Sequence, residues 1–136
     1  RFDDERDEAL SALGEMVDGA FGDDGAALGH ALRVHGGVKL LAWLLGNENP
    51  EVQEMALMIL GNLCSDSVDA NSTATKQALL RSGGARAILS CVHTEDPAVL
   101  LFACGAAGMP AAAAAVHRQS LEAGVAPDLT AIRCGV

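Results

Sequence analysis

From Glu51 to Ser65 the apolar side chains fall at Val52, Met55, Ala56, Ile59, Leu60, Leu63 and Cys64. That is the i, i+3, i+4, i+7 spacing of one buried helical stripe. Asn49 can cap this helix, Pro50 suits its first position because its missing N–H costs nothing there, and Glu51 favours the positive end of the helix dipole. The pattern on either side predicts more helices. One over 4–21 places Leu10, Leu13, Met16, Val17, Ala20 and Phe21 inward, and a Gly-Asp break follows at Gly22 to Gly25. A short helix over 26–35 stops at Gly36-Gly37, where glycine can take the left-handed conformation that ends a helix. Val38 to Leu45 form the next, with Val38, Leu41, Leu44 and Leu45 inward and Trp43 nearby. After a polar loop over 65–72, a helix over 73–82 ends at Gly83-Gly84. A further one over 85–93 turns Ile88, Cys91 and Val92 inward, and Pro97 opens a last long helix with Val99, Phe102, Ala103 and Ala106 on its stripe.

These elements repeat. Ala56-Leu57-Met58-Ile59-Leu60-Gly61-Asn62-Leu63 has counterparts 47 residues earlier, from Ala9 to Met16, and 47 residues later, from Ala103 to Pro110. The same offset carries Gly36-Gly37 onto Gly83-Gly84, Asn49-Pro50 onto Asp96-Pro97, Glu48 onto Glu95 and Ala31-Leu32 onto Ala78-Leu79. Small apolar pairs match by chance, but two double glycines and two Asx-Pro caps at one offset do not. A fixed period in the forties made of helices marks a helical solenoid. The chain divides into a partial unit at 4–25, units at 26–72 and 73–110, and an irregular tail at 111–136, and reads as a fragment of a longer solenoid.

Composition agrees. The only aromatic residues are Phe2, Phe21, Trp43 and Phe102, which suits packing of small residues between helices and argues against a β-sandwich. The net charge is −9, and residues 1–24 hold nine acidic residues against two arginines, so the excess is largely N-terminal. No basic stripe invites nucleic acid. No apolar run is long enough to span a bilayer, and no signal-peptide pattern is present. Cys64, Cys91, Cys104 and Cys134 show no C-x-x-C spacing, and the first three fall on predicted buried stripes. Reduced thiols in a cytoplasmic or nuclear setting follow, and the Asn71-Ser72-Thr73 sequon is read as coincidental.

The run from Gly36-Gly37 through Asn49-Pro50 to Leu60-Gly61-Asn62-Leu63 resembles an armadillo repeat, the unit of β-catenin and importin-α. A HEAT repeat, the alternative, has two helices and does not need the Gly-Gly turn. The resemblance covers about residues 4–108 and implies an all-α fold, a right-handed superhelix whose third helices line a concave groove. It further implies that Asn62 faces the groove and holds the main chain of an extended peptide, with Met58 one turn before it. An amide suits that task because it offers a donor and an acceptor. The expected groove row is Glu54, Met58, Asn62 and Ser65. The offset adds Asp7, Ser11, Glu15 and Asp18 before it, and Leu101, Gly105, Met109 and Ala112 after it. The position of Asn62 is Glu15 and Met109 in the neighbouring units, so the Trp/Asn ladder of importin-α is missing and importin activity is not expected.

No catalytic, cofactor or metal motif competes. His30 and His35 do not share a helix face, Cys91-x-His93 lacks further ligands, and the glycines form no phosphate-binding loop. The expected function is a non-enzymatic module that binds an extended or helical segment with basic residues near one end. The alternatives are a HEAT-type scaffold and a regulatory solenoid fragment of a larger multidomain enzyme. The tail loses repeat character at Met109-Pro110, as either a degenerate capping unit or, on the abruptness of the change, a sequence discontinuity such as a gene-model error. With both ends of the stack uncapped, the chain alone is expected to be marginally stable or to self-associate.

Overall fold

The computed structural model describes residues 2–91 together with Val99, Ala103, Arg118 and Glu122. Among these residues the fold is entirely helical: α1 (Phe2–Asp18), α2 (Gly22–Val34), α3 (Gly37–Leu44), α4 (Pro50–Leu63), α5 (Ser72–Ser82) and α6 (Gly84–Ser90). Helix α1 packs on α4, and α3 sits centrally against α2, α4, α5 and α6. One core joins them, running from Leu10 and Val17 of α1 through Leu41 and Leu44 of α3 and most of α4 to Leu79 of α5 and Ile88 of α6.

The repeat is visible in the backbone. Gly36 (φ 75) and Gly83 (φ 76) are both left-handed and join the first helix of a unit to the second. A side chain there would strain the turn. The second glycine of each pair has another task. A Cβ on Gly37 would lie 2.6 Å from Leu32 Cδ2, and one on Gly84 would lie 2.5 Å from Leu79 Cδ2. Leu32 and Leu79 are themselves related by the 47-residue offset, so the same leucine presses on the same bare backbone in both units. Val99 and Ala103 are helical and fully buried, as are their offset partners Val52 and Ala56.

Helix α4 starts as its sequence predicts: Asn49 Oδ1 accepts a bond from the Glu51 N–H at 3.0 Å, with Pro50 in the first turn. Gln53 Nε2 donates to the Leu45 carbonyl at 3.0 Å and ties α4 to the end of α3. Burial goes beyond the predicted stripe, because Leu57, Gly61 and Asn62 are enclosed as well. In the C-terminal half of α4 only Met58 keeps partial exposure.

Three expectations need correction. Helix α2 begins at Gly22, so the supposed Gly-Asp break is its first turn, where Asp23 and Asp24 meet the positive end of the dipole. Met16 and Phe21, predicted inward, are each 58% exposed. α1 ends at Asp18, so Phe21 belongs to the link and not to the stripe. The loop over 65–71, expected to be merely polar, is folded into the core with Val68 and Asp69 buried. Val92, Phe102, Ala106 and the tail from Met109 lie outside the described residues, apart from Arg118 and Glu122, which are helical and exposed.

The loop is fastened to α2 by close contact and charge. A Cβ on Gly25 would lie 1.6 Å from the Val68 carbonyl oxygen, and one on Gly29 would lie 2.1 Å from Asp69 Oδ2. Arg33 Nη1 donates to Asp69 Oδ2 at 2.9 Å and to Thr75 Oγ1 at 2.8 Å, while Asp69 Oδ1 accepts from the Asn71 N–H at 2.8 Å. Ser72 Oγ donates to Asp66. Removing one partner of a buried pair strands the other charge. Asp69→Ala is therefore expected to lower unfolding free energy by about 3–5 kcal/mol in a denaturant titration. Gly25→Ala forces the loop off α2 and should cost about 1–3 kcal/mol. Gly19→Ala, whose Cβ would sit 3.7 Å from the nearest atom, should melt like the parent.

Candidate functional site

The two described third helices, α1 and α4, lie side by side. Their closest approach is made possible by Gly14, where a Cβ would lie 2.9 Å from Met55 Sδ and 3.1 Å from Met58 Cε. Both methionines thus rest on the bare backbone of α1. On α4, Glu51, Glu54, Met55 and Met58 form one flank at helical spacing and line a depression of about 340 Å³. A second, of about 120 Å³, lies between the helices, with Asp7 and Ser11 on one wall and Glu51 and Met55 on the other.

The expected groove row divides here. Glu15 is exposed, and Glu54 and Met58 are half-buried. Asn62 continues the same flank one turn beyond Met58, but it is 0% exposed and has a partner inside the fold. As folded, it is closed to a passing peptide. Ser65 is also buried, and its hydroxyl sits 2.8 Å from Ser67 Oγ within the loop. Both lie at the C-terminal end of α4, where Ile59, Leu60, Gly61 and Leu63 are buried as well. The expected third row, Leu101, Gly105, Met109 and Ala112, lies outside the described residues.

Sequence reasoning did not single out Glu51 or Met55 for this face. Glu51 was explained by the helix dipole and Met55 by the buried stripe. Their signal was available, because both stand at helical spacing to Met58.

The face is acidic. Helix α1 carries Asp3, Asp4, Glu5, Asp7, Glu8, Glu15 and Asp18 against Arg6 alone, and α4 adds Glu51 and Glu54. Arg6 Nη2 is 3.0 Å from Asp7 Oδ1 and its Nη1 is 3.4 Å from Asp3 Oδ1, exposed pairs that leave most of the negative charge in place. Among the described residues no group of three His, Cys, Asp or Glu is placed to hold a metal ion, and no helix is long and apolar enough to cross a membrane. Cys64 and Cys91 are buried, and burial pushes the Cys91 thiol up, so at neutral pH it is a poor nucleophile.

Residues 30–65, from the last turns of α2 to the end of α4, match the family model of the armadillo/beta-catenin-like repeat. That stretch is similar to one armadillo repeat, and it lies in a fold that is all helical among the described residues. No curated protein and no solved structure matches the chain significantly.

A fully enclosed amide must be satisfied internally, and deleting it leaves its partner unpaired. Asn62→Ala is accordingly expected to lower unfolding free energy by about 1–3 kcal/mol, read as a drop in the denaturation midpoint. An unchanged midpoint would mean that the amide is not part of the structure's polar accounting.

Proposed function

We propose that the chain is a non-enzymatic protein-interaction module whose ligand, an extended or helical segment with a basic cluster, lies along the α1–α4 face. The observation that carries this reading is the juxtaposition of two third helices with an acidic, methionine-lined depression between and beside them. Acidic side chains steer a basic segment and set its direction, while methionine adapts its shape to varied apolar side chains. Contacts fall to Glu15, Glu54 and Met58 with Glu51 and Met55. Asn62 and Ser65 support the wall from within and do not touch the ligand. Cys64 and Cys91 are packed in the core as small apolar side chains, which supports a reducing setting, cytoplasmic or nuclear.

The test is fluorescence anisotropy with a degenerate peptide carrying a Lys-Arg cluster followed by apolar positions. The parent should bind it, and the double variant Glu15→Lys, Glu54→Lys should weaken binding strongly at low salt and less at high salt, since exposed charges are screened. Equal binding by parent and variant at every ionic strength would exclude this face.

A further inference from the structure

Four of the described cations lie on helices that carry no acid. α3, α5 and α6 contain Lys39, Lys76, Arg81 and Arg86 and no acidic residue. Three cations line one cleft of about 310 Å³ between the α2–α3 turn and α5: Arg33, Lys39 and Arg81, with Gly36 and Ser82 beside them. We propose that this cleft binds a phosphorylated serine or threonine side chain of a partner protein, as a second site separate from the acidic face.

Charge and geometry both favour a phosphomonoester. The Asp69 carboxylate, fully buried, offsets Arg33, so the uncompensated charge of the cleft is that of Lys39 and Arg81, neither of which has an ion-pair partner among the described residues. Two positive charges match a phosphate dianion, which carries about −1.5 to −2 at neutral pH, better than a single carboxylate. Arg33 is already held in place: its bonds to Asp69 and Thr75 both use Nη1, and the rest of the guanidinium fork is uncommitted among the described residues. A planar fork fixed in advance loses little freedom when it grips phosphate oxygens. The Ser82 hydroxyl donates to the Leu79 carbonyl at 3.3 Å, so it lines the cleft without serving the phosphate, and the grip falls to the three cations. Gly36, left-handed and with open space where a Cβ would be, keeps one edge of the cleft low. The chain's net charge of −9 repels a polyanion at long range, so an extended nucleic acid is disfavoured and a single compact dianion is not.

The experiment is calorimetric titration of the full chain with the peptide Ala-Ala-Ala-phosphoserine-Ala-Ala-Ala, its serine and glutamate counterparts, and inorganic phosphate. The phosphopeptide should bind, the serine peptide should not, and inorganic phosphate should compete weakly. Lys39→Gln with Arg81→Gln, both exposed and free of structural bonds, should weaken the phosphopeptide by about tenfold or more, the scale of a lost charge-assisted hydrogen bond. The melt should be unchanged. Lys76→Gln, on α5 but outside the cleft, should bind like the parent. Equal binding of the serine peptide, or no loss in the double variant, would overturn the proposal. Inorganic phosphate binding as tightly as the phosphopeptide would overturn the partner and leave a free-anion site. Glu15→Lys changes only the acidic face, so it separates this site from the other.

Discussion

Enclosure of α4 is the constraint on which the rest depends. Eight of its fourteen residues are buried, and they surround the helix through its C-terminal half. A helix closed on most sides must be met by neighbours that come close, and the bare backbone of Gly14 lets α1 do so beneath Met55 and Met58. α3 meets it from another side, through the shared core and the Gln53–Leu45 bond. What remains of α4 for a ligand is the one flank that runs from Glu51 to Met58. The accessible chemistry, two carboxylates and two thioethers, follows from that geometry.

Two kinds of device hold the other helices in register. The double glycines act by what they lack: the first permits the left-handed turn, and the second lets a leucine of the preceding helix press against the chain. The 65–71 loop is held by complementary means, bare glycines on α2 that admit the loop backbone and a buried Arg33–Asp69 pair that fixes it. Apolar packing could fill the same space at no loss of stability, but it would not set one position of the loop over others as a directional pair does. The same arginine then stands at the edge of the cationic cleft, so a structural tie and a candidate binding group are one side chain.

Charge is sorted by helix type. Acids dominate α1 and α4 and open α2 at Asp23 and Asp24, while the cations of α3, α5 and α6 stand without acids on their own helices. The core between these surfaces is apolar, and each surface keeps its own field near its own solvent. A partner attracted to one is repelled by the other. On the two proposals above, the molecule would offer two addresses of opposite sign without any change of shape.

The sequence by itself determined the helices and their repetition. Periodicity of apolar residues, the Asn49-Pro50 cap and the two Gly-Gly turns are local signals, and each acts through backbone conformations that neighbouring residues decide. The core positions Val38, Leu41, Leu44, Leu45, Ile59 and Leu60 could be read from the same signals because burial follows helical phase. Tertiary structure alone decided which third-helix residues stay open. Asn62 and Met58 share one flank, yet the amide is buried and the thioether one turn before it is half-buried. It also decided that Asp69, written in what reads as a solvated acidic loop, lies inside against an arginine 36 residues away. Nor could spacing show that Arg33, Lys39 and Arg81 line one cleft, since they come from three helices. Side-chain phase is a property of one helix, whereas enclosure and charge proximity are properties of several helices at once.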